Sequence, residues 1–108
     1  MMKESKSNRH VKIDTALVEG ALKKASEMNI AKNRNELANF VLARVVEGSF
    51  SLKLDPKKFE WKEDGNPTTV NFLNEQYYKL ASDLQANGYR NDSYFIFNIL
   101  MYNFLHFY

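Results

Sequence analysis

Apolar and polar positions along the chain alternate in one short run, then recur at helical spacing, and later the whole sequence of patterns repeats. In the first run Val11 and Ile13 share one side of a strand-like segment while His10 and Lys12 share the other, since side chains alternate with period two. Asp14 or Thr15 follows as a helix N-cap, offering an oxygen to amides that the helix leaves unpaired. Val18, Ala21, Leu22, Ala25 and Met28 then fall on one face of a helix that runs to about Met28, with Asn29 suited to a left-handed C-terminal turn. Gly20 inside that helix costs about 1 kcal/mol relative to Ala and allows close packing. A second helix is predicted from near Asn35, with Leu37, Ala38, Val41, Leu42, Val45 and Val46 on its apolar side, and Gly48 ends it.

The second copy begins at Thr68. Val70 and Phe72 take the inward side of a strand, Thr69 and Asn71 the outward side. Asn74 is read as the cap of a helix whose apolar face is Tyr77, Leu80, Ala81 and Leu84. Gly88 closes it, and Asp92 caps a last helix from Ser93 toward the C-terminus. Laying Gly88 on Asn29 puts Thr69 on His10, Val70 on Val11, Asn71 on Lys12 and Phe72 on Ile13, 59 residues apart. Arg34-Asn35-Glu36 matches Arg90-Asn91-Asp92 only at an offset of 56, which predicts a first inter-helix turn about three residues longer.

An internal repeat fixes architecture before any residue is given a task. One strand and two helices cannot bury a core alone, whereas two such units can, by pairing strands and interleaving helices. The expected fold is mainly α with a short β-ribbon, residues near 10–13 running antiparallel to residues near 69–72. The expected boundaries are a flexible basic arm over 1–8, a first unit over 9–48, a linker over 49–67 and a second unit over 68–108. In the linker, Phe50, Leu52 and Leu54 alternate with Ser51 and Lys53, and Pro56, Gly65 and Pro67 forbid a long helix. Phe59 and Trp61 are expected to pin it to the core.

The last helix is apolar nearly all round. Tyr94, Phe95, Ile99 and Tyr102 fill the usual inward face and leave Phe97, Met101 and Phe104, among others, on the far side. Such a helix is either central to a core or waits for a partner. Coverage by the linker aromatics and a face for self-association or a protein partner are both open at this point.

Composition narrows the function. At 108 residues there is room for one compact domain or for two halves sharing a core. The absence of cysteine excludes a disulfide framework, a thiol nucleophile and a zinc–thiolate site. The opening Met-Met-Lys-Glu-Ser-Lys has no apolar stretch behind its charges, unlike a secretory signal. The most apolar segment, Tyr94 to Tyr108, is shorter than the roughly 20 residues needed to span a bilayer, so a cytosolic location is expected. Asparagine is abundant, 12 residues, which suits an AT-rich coding source. No paired carboxylates, nucleophile–base pair, glycine-rich phosphate loop or metal-ligand spacing stands out, and the two histidines lie in opposite halves. The expectation is a protein without enzymatic activity, cofactor or metal. Net charge is only +2, yet residues 1–47 carry nine Lys and Arg against six Asp and Glu. The excess centres on Lys3, Lys6, Arg9 and Lys12, a basic arm abutting a strand and a route onto phosphates.

Strand, helix, Gly or Asn turn, Asn-rich cap and second helix within about 40 residues resembles the ribbon-helix-helix family of DNA-binding proteins, the Arc, MetJ and CopG type. Val11 through Asp14, Ala25 through Asn29 and Asn33 through Leu37 carry the resemblance in the first unit. Val70 through Phe72, Leu84 through Gly88 and Arg90 through Asp92 carry it in the second. The resemblance implies an antiparallel ribbon lying in the DNA major groove, which admits two strands sterically. Base-reading candidates are then His10 and Lys12 on one strand and Thr69 and Asn71 on the other, with Arg9 and Thr68 flanking them. The family's phosphate clamp at the helix starts implies Asn33, Arg34 and Asn35, with Arg90 and Asn91, as backbone contacts, joined by Lys3, Lys6 and Arg9 from the arm. Asp92 departs from the pattern, since its carboxylate repels a phosphate. The family usually works as homodimers, whereas this chain holds both units, which implies an asymmetric ribbon suited to a non-palindromic site. Single-chain tandem forms occur among relaxosome accessory proteins of plasmid transfer. Transcriptional repression or relaxosome assembly on a mobile element is thus the implied role, and an antitoxin that grips its toxin through the C-terminal helix is the alternative.

Overall fold

The structure, a computed structural model, describes residues 6–53 and 66–108, with only the backbone for residues 6 and 7. Leu54, Phe59, Trp61 and Lys3 lie outside the described residues. The elements are β1 (Lys6–Val11), α1 (Thr15–Glu27), α2 (Arg34–Val46), β2 (Thr68–Leu73), α3 (Asn74–Ala86) and α4 (Ser93–Phe107). The strands form a two-stranded antiparallel sheet within one chain, pairing His10 with Thr69, Asn8 with Asn71 and Val11 with Thr68.

Strand pairing runs further toward the N-terminus than alternation predicts. Lys6, Ser7 and Asn8 belong to β1 rather than to an arm, while Lys12 and Ile13 follow the strand. The hydrophobic pattern could not find this extension, because Lys6 to Arg9 contains no apolar side chain. Backbone pairing with Val70 to Leu73 holds it.

The helices start and stop where local chemistry demands. Asp14 caps α1 by accepting from Leu17 N at 3.3 Å, Asn33 caps α2 from Glu36 N at 2.9 Å, and Asp92 caps α4 from Phe95 N at 3.2 Å. Glu36 in turn accepts from Lys32 N at 3.0 Å, the amide just ahead of the cap residue. The cap of α3 is Leu73, not Asn74, and no side-chain cap bond is made there. After α1 and α3 the chain turns through Asn29 at φ 56° and Gly88 at φ 80°. In those turns Ile30 N donates to Ala25 O and Tyr89 N to Leu84 O, both at 2.9 Å. The cap positions and turns recur at 59 residues, Asp14 with Leu73, Asn29 with Gly88 and Asn33 with Asp92, although Glu36 is matched by Phe95. The inter-helix turns are therefore of equal length, and the longer first turn is not found. Arg34-Asn35-Glu36 lies inside α2, past its cap, whereas Arg90-Asn91-Asp92 precedes α4 and ends on its cap, so the matching letters are not matching positions.

Packing crosses between the two halves. α1 lies on α4, α2 on α3, α2 on α4, α2 on β2 and α4 on β1. Gly20 permits the first of these: a Cβ there would sit 3.2 Å from Leu105 Cδ2. The core contains Val11, Ile13, Val70 and Phe72 from the ribbon region and Leu37, Ala38, Val41 and Leu42 from α2. Val45 and Val46 are half-buried, and Met28 is turned to solvent because α1 ends before it.

α4 is the central helix. Phe97, Met101 and Phe104 are fully buried by the chain itself, so the association face expected there does not lie on the surface. Each such side chain contributes about 1.5–3 kcal/mol on burial. Two buried asparagines interrupt this apolar helix, and both are satisfied. Asn103 accepts from Lys53 N at 2.7 Å and donates to Lys53 O at 3.3 Å, holding the start of the linker. Lys24 closes the helix end, donating to the carbonyls of Phe104, Leu105 and Tyr108 at 3.0–3.3 Å, where a cation meets the negative end of the helix dipole.

Candidate nucleic-acid interface

The ribbon has two faces. Val11 and Val70 point into the core, and Arg9 shares that inner side. Its guanidinium carbon lies 3.7 Å from the Tyr77 ring centroid and 5.5 Å from that of Tyr78. Arg9 Nε is buried there without a hydrogen-bond partner. Arg9 is thus spread on α3 and does not join the outer face, contrary to the role expected for it beside the base-reading set.

The outer face presents Asn8 and His10 opposite Asn71 and Thr69. Asn8, His10 and Thr69 are exposed and Asn71 is half-buried. His10 Nδ1 and Thr69 Oγ1 meet across the strands at 3.1 Å, which fixes both side chains and leaves Nε2 outside that bond. Lys12 is exposed but lies past the last paired residue. The residue facing Asn71 is Asn8, which the pattern of apolar positions did not single out. The only signal for it was the register itself: if His10 pairs with Thr69, antiparallel order sets Asn8 against Asn71.

Asparagines on the second and fourth helices fasten the ribbon. Asn71 N donates to Asn35 Oδ1 at 2.7 Å, and Asn39 Nδ2 donates to Asn71 O at 3.0 Å. The outward-facing edge of β2 at that residue is thereby closed by side-chain amides acting as a strand would. Fifty-nine residues on, Asn98 Nδ2 donates to Lys12 O at 3.0 Å and its Oδ1 accepts from Asp14 N at 3.3 Å. Asn39 and Asn98 each also donate to the carbonyl four residues back, at 2.9 and 2.8 Å. Asn35, expected on phosphate, has its side-chain oxygen committed to the strand.

The two helix starts differ in charge. At α2, Asn33 is occupied with Glu36, and Arg34 stands beside it, half-buried. Among the described residues the ion pairs are Arg44–Glu47 and Arg90–Asp92, and Arg34 is in neither. At α4, Arg90 binds Asp92 in bidentate fashion, Nε and Nη2 each at 2.9 Å from a carboxylate oxygen. Partial burial would push the Asp92 carboxyl up, but the hydrogen bonds from Arg90 and Phe95 N, with the Arg90 charge, outweigh it and hold it below the usual range. Asn91 donates to Gln85 at 3.4 Å. Arg90 is therefore spent on its own helix cap.

Among the described residues no group of three His, Cys, Asp or Glu could hold a metal ion. No described helix is long and apolar enough to cross a membrane. Comparison of the chain with protein-family models, curated proteins and solved structures gives no match.

Proposed function

We propose that this chain is a single-chain tandem ribbon-helix-helix protein that binds double-stranded DNA by laying its β1–β2 ribbon in the major groove. The observation that carries the reading is the ribbon itself. It pairs within one chain, its inner side is sealed into the core, and its outer side offers Asn8, His10, Thr69 and Asn71 as hydrogen-bonding groups. Asn recognises adenine edges in bidentate fashion, and Thr bonds or touches a thymine methyl. The uniform 59-residue spacing of caps and turns, with helices packed across halves, supports a pseudo-dimer in which each unit takes the place of one subunit. Arg34 and Lys12, exposed or half-exposed near the ribbon, supply phosphate contacts. Repression or relaxosome assembly on a mobile element is the employment this reading carries. An antitoxin gripping its partner through α4 is disfavoured, since the apolar side chains it would use are buried.

The test is a mobility-shift titration against a duplex selected from random sequence and against random DNA. His10→Ala and Asn71→Ala should each weaken the selected complex by about 1–3 kcal/mol, with little change on random DNA. Equal binding by the parent and both variants would remove the ribbon as reader.

A further inference from the structure

We infer that the ribbon reads bases on one side of its centre only, so that the DNA element is specified in one half and merely held by phosphates in the other. This rests on the DNA-binding reading above and goes beyond the difference in side chains between the strands. His10 and Thr69 are equivalent in the repeat, 59 residues apart, and they pair with each other, so this pair marks the centre of the ribbon. From the centre, pairing continues through Arg9–Val70, Asn8–Asn71 and Ser7–Phe72 to Lys6–Leu73 in one direction. In the other direction it ends at Val11–Thr68.

The chain enters β2 through Asn66 and Pro67, both exposed and outside the pairing. Proline holds φ near −65°, away from the roughly −140° of an antiparallel strand, so the ladder is not carried back through it. The side chains follow the same division. On the long side two amides, Asn8 and Asn71, face one another, and α2 clamps the Asn71 backbone from the edge. The corresponding positions on the short side are Lys12, already past the strand, and Pro67, whose ring carries neither donor nor acceptor. The exposed Lys12 is the phosphate contact of the short side, and the arginines at the two helix starts differ. Arg34 in the first turn of α2, beside the long side, is free of any ion pair among the described residues. Arg90 at the start of α4, the helix that holds Lys12, is bound to Asp92.

The experiment is selection of the unaltered chain on a random duplex pool, then single-base substitution through the best duplex with affinity measured at fixed salt. The expected result is a sequence without inverted repeat. Substitutions on one side of its centre should weaken binding ten-fold or so, and those on the other less than two-fold. Asn8→Ala, at an exposed site, should flatten the sensitive side while leaving circular dichroism unchanged. Arg34→Ala should weaken binding several-fold more than Arg90→Ala. An inverted repeat with equal penalties in both halves would overturn the one-sided reading and leave DNA binding standing. If no sequence is enriched, both fall.

Discussion

Twelve asparagines run through this chain, and several spend their amides on backbone groups that would otherwise lack partners. Asn33 caps a helix, Asn29 turns left-handed, Asn35 and Asn39 close a strand edge, and Asn98 and Asn103 tie the central helix to passing chain. Composition alone suggested no more than coding bias, because an amide's task depends on what lies across from it. Asn98→Ala should destabilise the fold by about 2–3 kcal/mol, since it strips partners from the Asp14 amide and Lys12 carbonyl while opening a gap in a sealed helix. Asn39→Ala, half-buried at the equivalent position, should cost about 1 kcal/mol. Urea denaturation of the two variants measures both. Asp92 gives a pH signature. Its carboxyl is held below its ordinary value, so its contribution is fully present above that ordinary value and is lost as pH falls through the lowered one. Asp92→Asn should therefore be less stable than the parent at neutral pH, with the difference closing in acid. A constant difference across that range would mean the Arg90 pair contributes nothing.

At the scale of elements, α4 shows how far a hydrophobic pattern reaches. Its apolar circumference offered a choice between a central place and an external partner, and packing against α1, α2 and β1 makes it central. Phe97→Ser with Phe104→Ser should abolish the cooperative unfolding transition. Truncating a buried Phe typically costs about 3–5 kcal/mol, against total stabilities of about 5–15 kcal/mol. A well-folded double variant by circular dichroism would contradict the central placement. The four helices, a cap at Asp14 or Thr15, the cap at Asp92 and the pairing of the two strands were legible in the sequence, because cap chemistry and helical periodicity are local; Asn33, assigned to phosphate, proved to be the cap of α2. The strand's polar extension and the equal length of the two turns were not. Lys6 to Asn8 adopt a strand through backbone bonds to a segment 60 or more residues away, which no side-chain pattern records. The resemblance between Arg34-Asn35-Glu36 and Arg90-Asn91-Asp92 compared a helix with a loop.

For the candidate site the outcome follows the same division. His10, Thr69 and Asn71 lie on the outer face as alternation implied, whereas the meeting of His10 with Thr69 comes from the register. Lys12 lies past the paired strand and Asn8 faces Asn71, Arg9 turned to the Tyr77 ring, and Asn35 and Arg90 are bound within the fold. The reassignments were decided by partners distant in sequence, the strand register for Lys12, an aromatic ring for Arg9 and a strand amide for Asn35, and for Arg90 by the acidic cap two residues on.

For the whole molecule, a ribbon closed within one chain makes folding unimolecular. The thermal midpoint should not move with protein concentration, whereas a fold requiring a second copy would gain stability by mass action. A midpoint rising over a hundred-fold concentration range would mean a further copy is needed. The claim that this closed ribbon is the DNA reader is tested most directly by a nitrogen-15 chemical-shift titration with the selected duplex. The largest shifts should cluster on the amides of Asn8, His10, Thr69 and Asn71 and in the first turn of α2, with α1 and α3 little affected. Shifts concentrated on the exposed faces of α1 or α3, with the ribbon amides unmoved, would contradict it.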